Sequence, residues 1–392
     1  MSVQSGVFTP ADRAEASYRY LPVDVPPGCA GVTIELEYER GVLDLGCFGP
    51  AGFRGWSGGA RRQFSITADW ATPGYLPGEL EAGEWQVVLG LHRVPVDGLP
   101  WRVSVVPGRV SPPADPLPPP LPERPPARPL PAPAGMRWLA GDLHTHTVHS
   151  DGSLTVDELA ALAVGQGLDF LAVTDHNTVS HHSCLPAAGL RAGVVLVPGQ
   201  EVTTHRGHAN AFGDIGWVDF RAPADQWVEG VELLSINHPL AADCSWRYPL
   251  ERRPALAEIW HWTWLDRRWG GPMAWWQAAG PALVPVGGSD FHRPEQDRLP
   301  GEPTTWVLVS QHDVDGVLDG LRAGRTALSA RRAGPVLLRL GDELVAVDAE
   351  GLLLAGATGR RRLVCSAVEA FPASPGPHWL EDGTTAVHAL CG

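Results

Sequence analysis

Between residues 111 and 134 the chain reads SPPADPLPPPLPERPPARPLPAPA, and twelve prolines in that run leave no room for a helix or a central strand. The segment predicts extended polyproline II, a semi-rigid spacer, so folding must happen on either side of it. A length of 392 residues allows two domains with appendages around such a break. Before the break, short β-like runs (GVTIELEYE, RRQFSITAD, EWQVVLGLH, PWRVSVVP) alternate with Gly/Pro turns at the spacing of a β-sandwich. After it, apolar strand-like runs (RWLAGDLH, LDFLAVTD, GVVLVPGQ, ELLSINH, LAEIW, ALVPVGG, TTWVLV) are interleaved with helical stretches. One such stretch, Leu154–Gly165, is opened by Thr155 with Glu158 at capping-box spacing. Seven near-continuously apolar strands with interleaved helices predict an α/β fold, a closed or nearly closed parallel barrel. The expected organisation is an N-terminal β-sandwich over 1–110, a Pro-rich linker over 111–135, the barrel over 136–330 and a small C-terminal β appendage over 331–392.

Composition narrows the function classes. A hydrophobic fraction of 44% and a charged fraction of 19% describe a globular chain with a substantial core. No run of eighteen or more apolar residues occurs, and the N-terminus lacks the basic and apolar regions of a secretory signal. The six cysteines form no CxxC pair, which predicts free thiols in a reducing, cytoplasmic setting. A formal net charge of −14 argues against a surface that tracks nucleic-acid phosphates, and leaves a small molecule as the expected partner. All 30 basic side chains are Arg, so no Lys is present to form a Schiff base or clamp a phosphate.

Twelve of the fifteen histidines lie between His144 and His312. Asp142-Leu-His144-Thr-His146, continuing to Asp151-Gly152, places two imidazoles at i and i+2, on one side of a strand end. Thr174-Asp175-His176-Asn177 follows the next apolar run, and Gly199-Gln200-Glu201 closes the third, with Gly207-His208-Ala209-Asn210 behind it. Asn237-His238-Pro239 and Gly288-Ser289-Asp290-Phe291-His292 end two more. Each motif alone is an ordinary loop or cap. Together, five strands ending in His, Asp or Glu converge on the C-terminal face of a parallel barrel, where active sites sit. Imidazoles and carboxylates without thiolate suit Zn, Mn or Fe.

DLHTHTVHSDG, TDHNT, GQE, NHP and GGSDFH together resemble the PHP family, named for polymerase and histidinol phosphatase, over about residues 138–330. GQEVTTHRGHANAFG resembles its branch named for carbaryl and carbamate hydrolases (CehA/McbA type), as do FRGWSGGARRQF and ATPGYLPGEL. The resemblance implies a distorted (βα)7 barrel holding two or three divalent ions. His144, His146 and Asp290 would hold one ion, and Glu201 would bridge to a second held by His208 and His238. Asp151, His176 and His292 would hold a third. Two departures stand out: Asp151 takes a place that is often His in trinuclear phosphatases, and the Glu201-to-His208 spacing is short, which makes His205 a competing ligand. Glu201, His208 and Asp290 are the residues expected nearest the chemistry. Two cations sharing Glu201 can bridge a water and lower its pKa toward neutrality. They also neutralise charge developing on a phosphoryl or carbonyl oxygen.

Ligating imidazoles need a partner on their second nitrogen, and Asp142 and Asp175 are the candidates by adjacency. Arg206, Asn210, Arg293 and His149 are candidate substrate contacts, and Trp260, Trp262, Trp264, Trp269, Trp275 and Trp276 a candidate aromatic wall. The expected activity is a metal-dependent phosphoesterase acting on a small phosphorylated or nucleotide-like molecule. The alternatives are a carbamate, carboxyl-ester or amide hydrolase, and a non-catalytic metal-dependent binding module.

Overall fold

A computed structural model describes residues 2–114, 116–264, 268 and 270–392. The chain separates into two compact units. The first comprises Met1–Leu117, Thr147–Ser153 and Asp175–Ser183; the second comprises Pro118–His146, Leu154–Thr174 and Cys184–Gly392. The break after Leu117 falls inside the Pro-rich run. The two short inserts of the first unit are the segments that carry Asp151 and His176.

The first unit is built on two antiparallel four-stranded sheets. One runs in the order Ser2–Phe8, Leu99–Pro107, Gly31–Glu37, Gln63–Thr67; the other Tyr18–Val25, Gly83–Arg93, Val42–Gly49, Gly52–Gly58. Alternation explains the inward faces: Val32, Ile34 and Leu36 from one sheet and Leu43, Leu45, Trp85, Val87 and Leu89 from the other fall in a single buried cluster.

The second unit is mixed α/β around one thirteen-stranded sheet. Seven of its strands run consecutively: Arg137–Thr145, Phe170–Val173, Val195–Thr204, Gly207–Phe212, Leu234–Ile236, Leu256–His261 and Val284–Gly288. Neighbours are parallel except at Gly207–Phe212, which is antiparallel to both of its partners. The ends of this run meet, because Thr145 and Phe291 form a parallel bridge and the His146 amide donates to the Phe291 carbonyl at 2.9 Å.

This corrects the expected strand list in one place. Thr304–Val309, counted as a seventh parallel strand, pairs antiparallel with Arg137–Thr145 and leads away from the run. Its place is taken by GHANAF, whose polar residues hide a strand. Only His205 and Arg206 separate it from Val195–Thr204, and so short a connection can join only antiparallel partners.

The helix after the first strand spans Val156–Gln166. Glu158 N–H donates to Thr155 Oγ1 at 3.2 Å and Thr155 N–H to the Glu158 carboxylate at 2.8 Å, so the capping box is complete. Leu159, Ala160, Ala163 and Val164 form its buried face.

Residues 331–392 are not a separate appendage, because Thr326–Ser329 pairs with Val387–Cys391 and the large sheet continues through it. Val336, Leu337 and Leu380 pack in the same core cluster as Leu159 and Leu171. The later part of the Pro-rich segment is also tied down. Arg124 donates to the carbonyls of Leu168 and Gly193 at 2.7 and 3.0 Å, and Trp138 Nε1 to that of Pro131 at 2.9 Å. Among the described residues no helix is long and apolar enough to cross a membrane.

Candidate metal centre

Within the second unit, strand ends deliver the expected side chains to one place. Glu201 lies near the end of Val195–Thr204. His208, on the antiparallel neighbour, pairs in register with Thr203 and so sits diagonally from Glu201 on the same face. Glu201 Oε1 accepts from Asn237 Nδ2 at 2.8 Å. The same oxygen lies 3.0 Å from His208 Nδ1, 3.3 Å from His144 Nε2 and 3.5 Å from His238 Nε2. Oε2 is 3.6 Å from His146 Nε2. Asp290 Oδ1 sits between the first pair of imidazoles, 3.1 Å from His144 Nε2 and 3.0 Å from His146 Nε2. His292 stacks on His146 with ring centroids 4.2 Å apart, and its Nδ1–H donates to the Asp290 carbonyl at 2.8 Å. His238 and Asp290 both adopt positive φ (29° and 52°), a costly conformation for non-glycine residues that concentrates at functional sites.

The electrostatics are those of a cation site. His144, His146 and Glu201 have no exposed surface. Burial opposes charge on His144, but Glu258, Asp290 and Glu201 outweigh it and hold its pKa well above the usual imidazole range. Burial likewise works against ionised Asp290, yet His144 and His146 hold its carboxyl well below the usual range. His144 Nε2 nevertheless makes no aligned hydrogen bond to either nearby carboxylate, a costly state for a buried ring nitrogen. Among the described residues of this unit, three sets of ligand atoms lie within 4.8 Å of one another: His144, His146 and Glu201; His144, His238 and His261; and His208, His238 and Cys244. Buried nitrogen and carboxylate donors converging with an unsatisfied nitrogen fit divalent cations.

The orienting carboxylate is one that the sequence reading passed over. Glu258 Oε1 lies 2.8 Å from His144 Nδ1, and Oε2 accepts the His238 amide at 2.7 Å. Gly288 makes room for it, since a Cβ there would stand 2.3 Å from Glu258 Oε1 and 2.5 Å from His144 Cβ. Asp142, proposed by adjacency for this task, instead accepts the backbone amides of His144, Ser289 and Gly301 at 3.0, 3.1 and 2.7 Å. It ties the first strand's end to the segment beyond the last, and burial pushes its pKa up to about 6. Asp175, the other candidate, accepts from Thr147 N–H, Thr147 Oγ1 and Ser150 Oγ at 2.8, 2.7 and 2.6 Å and faces His181 Nδ1 at 3.2 Å. Backbone amides hold Asp142, and an amide and two hydroxyls beside the His181 ring hold Asp175.

The remaining candidates fall into place as follows. Asp151 and His176 belong to the first unit and lie 3.5 Å apart, Oδ1 to Nε2. His205 is exposed at the turn before Gly207–Phe212. Arg206 lies over the Tyr248 ring at 4.5 Å and reaches the Arg247 carbonyl at 3.3 Å. Arg293 is exposed, its amide donating to Gln296 Oε1 at 3.1 Å. Asn210 is buried, with Nδ2 donating to the Leu143 carbonyl at 3.0 Å and Oδ1 accepting from Asn237 at 2.9 Å, so its amide supports the site from behind. His149 Nδ1 lies 2.8 Å from Ser180 Oγ. Trp260, expected on an aromatic wall, is buried against Trp264. A register shift between Glu258 and Trp260 turns Glu258 toward His144 and His261 toward Asp290 instead. Trp276 is also buried, and Trp269 lies outside the described residues. Trp262 is 40% exposed and donates to Asp290 Oδ2 at 3.1 Å. A small cavity of about 20 Å³ adjoins His238, Glu258 and His261, with Leu240, Ile259, Trp264, Pro272 and Trp275 among its walls.

No family model matches the chain. It is similar to the 5'-3' exoribonuclease of Haemophilus influenzae, 38% identical over 64 residues, which is 16% of this chain and 23% of that protein. It is equally similar to the phosphoribosyl 1,2-cyclic phosphate 1,2-diphosphodiesterase of Eggerthella lenta, 38% identical over 64 residues, 16% of this chain and 24% of that protein. The chain thus spans about a quarter of the length of these curated relatives. Among solved structures, a two-domain protein from Bacteroides vulgatus containing a predicted PHP-like metal-dependent phosphoesterase aligns with a TM-score of 0.43 at 18% identity, covering 69% of this chain and 90% of that one.

Proposed function

We propose that this PHP-superfamily chain is a multinuclear metal-dependent phosphoesterase acting on a small phosphorylated or nucleotide-like molecule. The observation that carries the reading is the Glu201 carboxylate, buried among four imidazoles with Asp290 facing two of them. The fold reading that goes with it is a distorted (βα)7 barrel in the second unit and a β-sandwich in the first. His144, His146 and Asp290 would hold one ion and His208 and His238 another, with Glu201 shared between them. Asp151 and His176 would serve a further ion. Bound ions would supply Lewis acidity and a water acidic enough to ionise near neutral pH. The chain's own residues prepare the place: Glu258 fixes the His144 ring, Asn237 holds Glu201, and Trp262 restrains Asp290. Preset ligands cost no reorganisation when charge develops on the substrate.

A second reading, a carbamate or carboxyl-ester hydrolase, is favoured by the apolar side chains of Leu240, Ile259, Trp264 and Trp275 that line the small cavity beside His238 and His261. Chromogenic phosphomonoesters, phosphodiesters and carboxyl esters, each assayed with Mn, Zn and Fe, separate the two. Metal-dependent turnover of phosphoesters is the expected result, and turnover of carboxyl esters alone would replace the first reading by the second.

A further inference from the structure

The first unit contains two loops distant in sequence from its strands, Thr147–Ser153 and Asp175–Ser183. Two features of the strand region hold them. Arg61 forks across the first loop, Nη1 donating to the Ser150 carbonyl at 2.8 Å and Nη2 to the Val148 carbonyl. Gly74 grips the second: its N–H donates to Ser180 Oγ at 3.0 Å and its carbonyl accepts from Thr178 Oγ1 at 2.9 Å. Gly74 has φ of 99°, and a Cβ there would stand 2.9 Å from the His149 carbonyl, so the backbone is flush against the first loop too.

The loops are also sewn to each other. Asp175 accepts from Thr147 and Ser150, and His149 Nδ1 lies 2.8 Å from the same Ser180 Oγ that Gly74 engages. Asp151 directly follows Ser150, and His176 directly follows Asp175. Each of these two side chains is therefore anchored through its immediate neighbour. A planar guanidinium suits this task, because it presents two donors at a fixed spacing to carbonyls two residues apart, which an ammonium cannot do.

We propose that the N-terminal strands are a working part of the hydrolase and not a separate recognition module: Arg61 and Gly74 brace the two loops so that Asp151 and His176 are held ready for an ion. Arg61 is a positioning residue, acting through the backbone of Val148 and Ser150. The inference rests on the reading of Asp151 and His176 as ligands.

The test uses the full chain with Arg61→Ala, Arg61→Lys and Gly74→Ala, beside Asp151→Asn. Hydrogen exchange read by mass spectrometry reports the loops without reference to turnover, and titration with Mn reports each ion's affinity. Arg61→Ala and Gly74→Ala are expected to speed exchange at least about tenfold in 147–153 and 175–183, with Val195–Thr204 unchanged. The same variants should weaken one ion by about 10- to 100-fold and leave the others as they are. Arg61→Lys should recover only part of the effect. Loops that exchange as in the native chain would overturn the proposal, and so would loosened loops with every ion affinity intact. Asp151→Asn separates the two ideas. If it loses no ion, the ligand reading has failed; if it loses an ion that Arg61→Ala keeps, the brace has.

Discussion

Two buried carboxylates, Glu201 in the second unit and Asp175 in the first, each sit beside histidine, and they are solved in opposite ways. Asp175 is served by neutral donors: one backbone amide and two hydroxyls reach it at 2.6–2.8 Å. Glu201 accepts from the Asn237 amide at 2.8 Å and has four imidazoles around it at 3.0–3.6 Å. A carboxylate that already accepts an amide and two hydroxyls gains little from a cation, whereas one ringed by imidazole nitrogens gains most from a cation at their centre. Proximity of His to Asp or Glu is thus a poor test for a metal site; the remaining donors decide.

The sharpest break of this comparison is Glu201→Gln. Removing the shared charge should empty the ions around it and lower turnover by at least about 100-fold while the fold persists. Elemental analysis of the purified variant checks it, and a full ion complement would remove Glu201 from the site. Glu258→Gln comes next. It keeps the shape but weakens the hold on His144 Nδ1, and metal affinity should fall by about 10- to 100-fold, read by chelator competition. Asp175→Asn should behave differently. Ions around Glu201 should keep their affinity, while the thermal midpoint falls in line with a loss of about 1–3 kcal/mol from a damaged buried network. Loss of those ions in Asp175→Asn would erase the distinction drawn here.

The sequence made the Glu201 cluster legible because its ligands recur at strand ends with i,i+2 spacing, as at His144 and His146. The Thr155–Glu158 box was legible for the same reason: a local pattern has a local cause. Asp142 was misread because adjacency to His144 suggested a ring contact, while its partners include amides at Ser289 and Gly301, far away in sequence. Glu258 went unnoticed inside LAEIW. Yet a single carboxylate in an otherwise apolar strand is a signal in itself, since it must be paired to be buried. Gly207–Phe212 was missed because its face toward the ligands is polar, and strand patterns are sought in apolar runs. The short side of the comparison, which donors complete a buried carboxylate, depends on contacts that no spacing encodes.

Cys244 refines the contrast on the metal side. Its Sγ lies 3.3 Å from His238 Nδ1, the ring nitrogen turned away from Glu201, so the thiol occupies the place that Glu258 holds for His144. If it only orients the ring, Cys244→Ser keeps a hydrogen-bonding group and should cost little, while Cys244→Ala should weaken the ion on His208 and His238 by about tenfold, the lower end for an orienting partner. Its sulfur also falls within ligand range of His208 and His238, which admits direct binding. A sulfur ligand predicts another pattern: Ser and Ala would cost alike, and both would lower the preference for Zn over Mn, because softness would be lost with the sulfur. Zn and Mn affinities measured on both variants decide between them. We expect Ser to resemble the native chain, which would leave the cluster a site of nitrogen and oxygen donors steadied by a thiol.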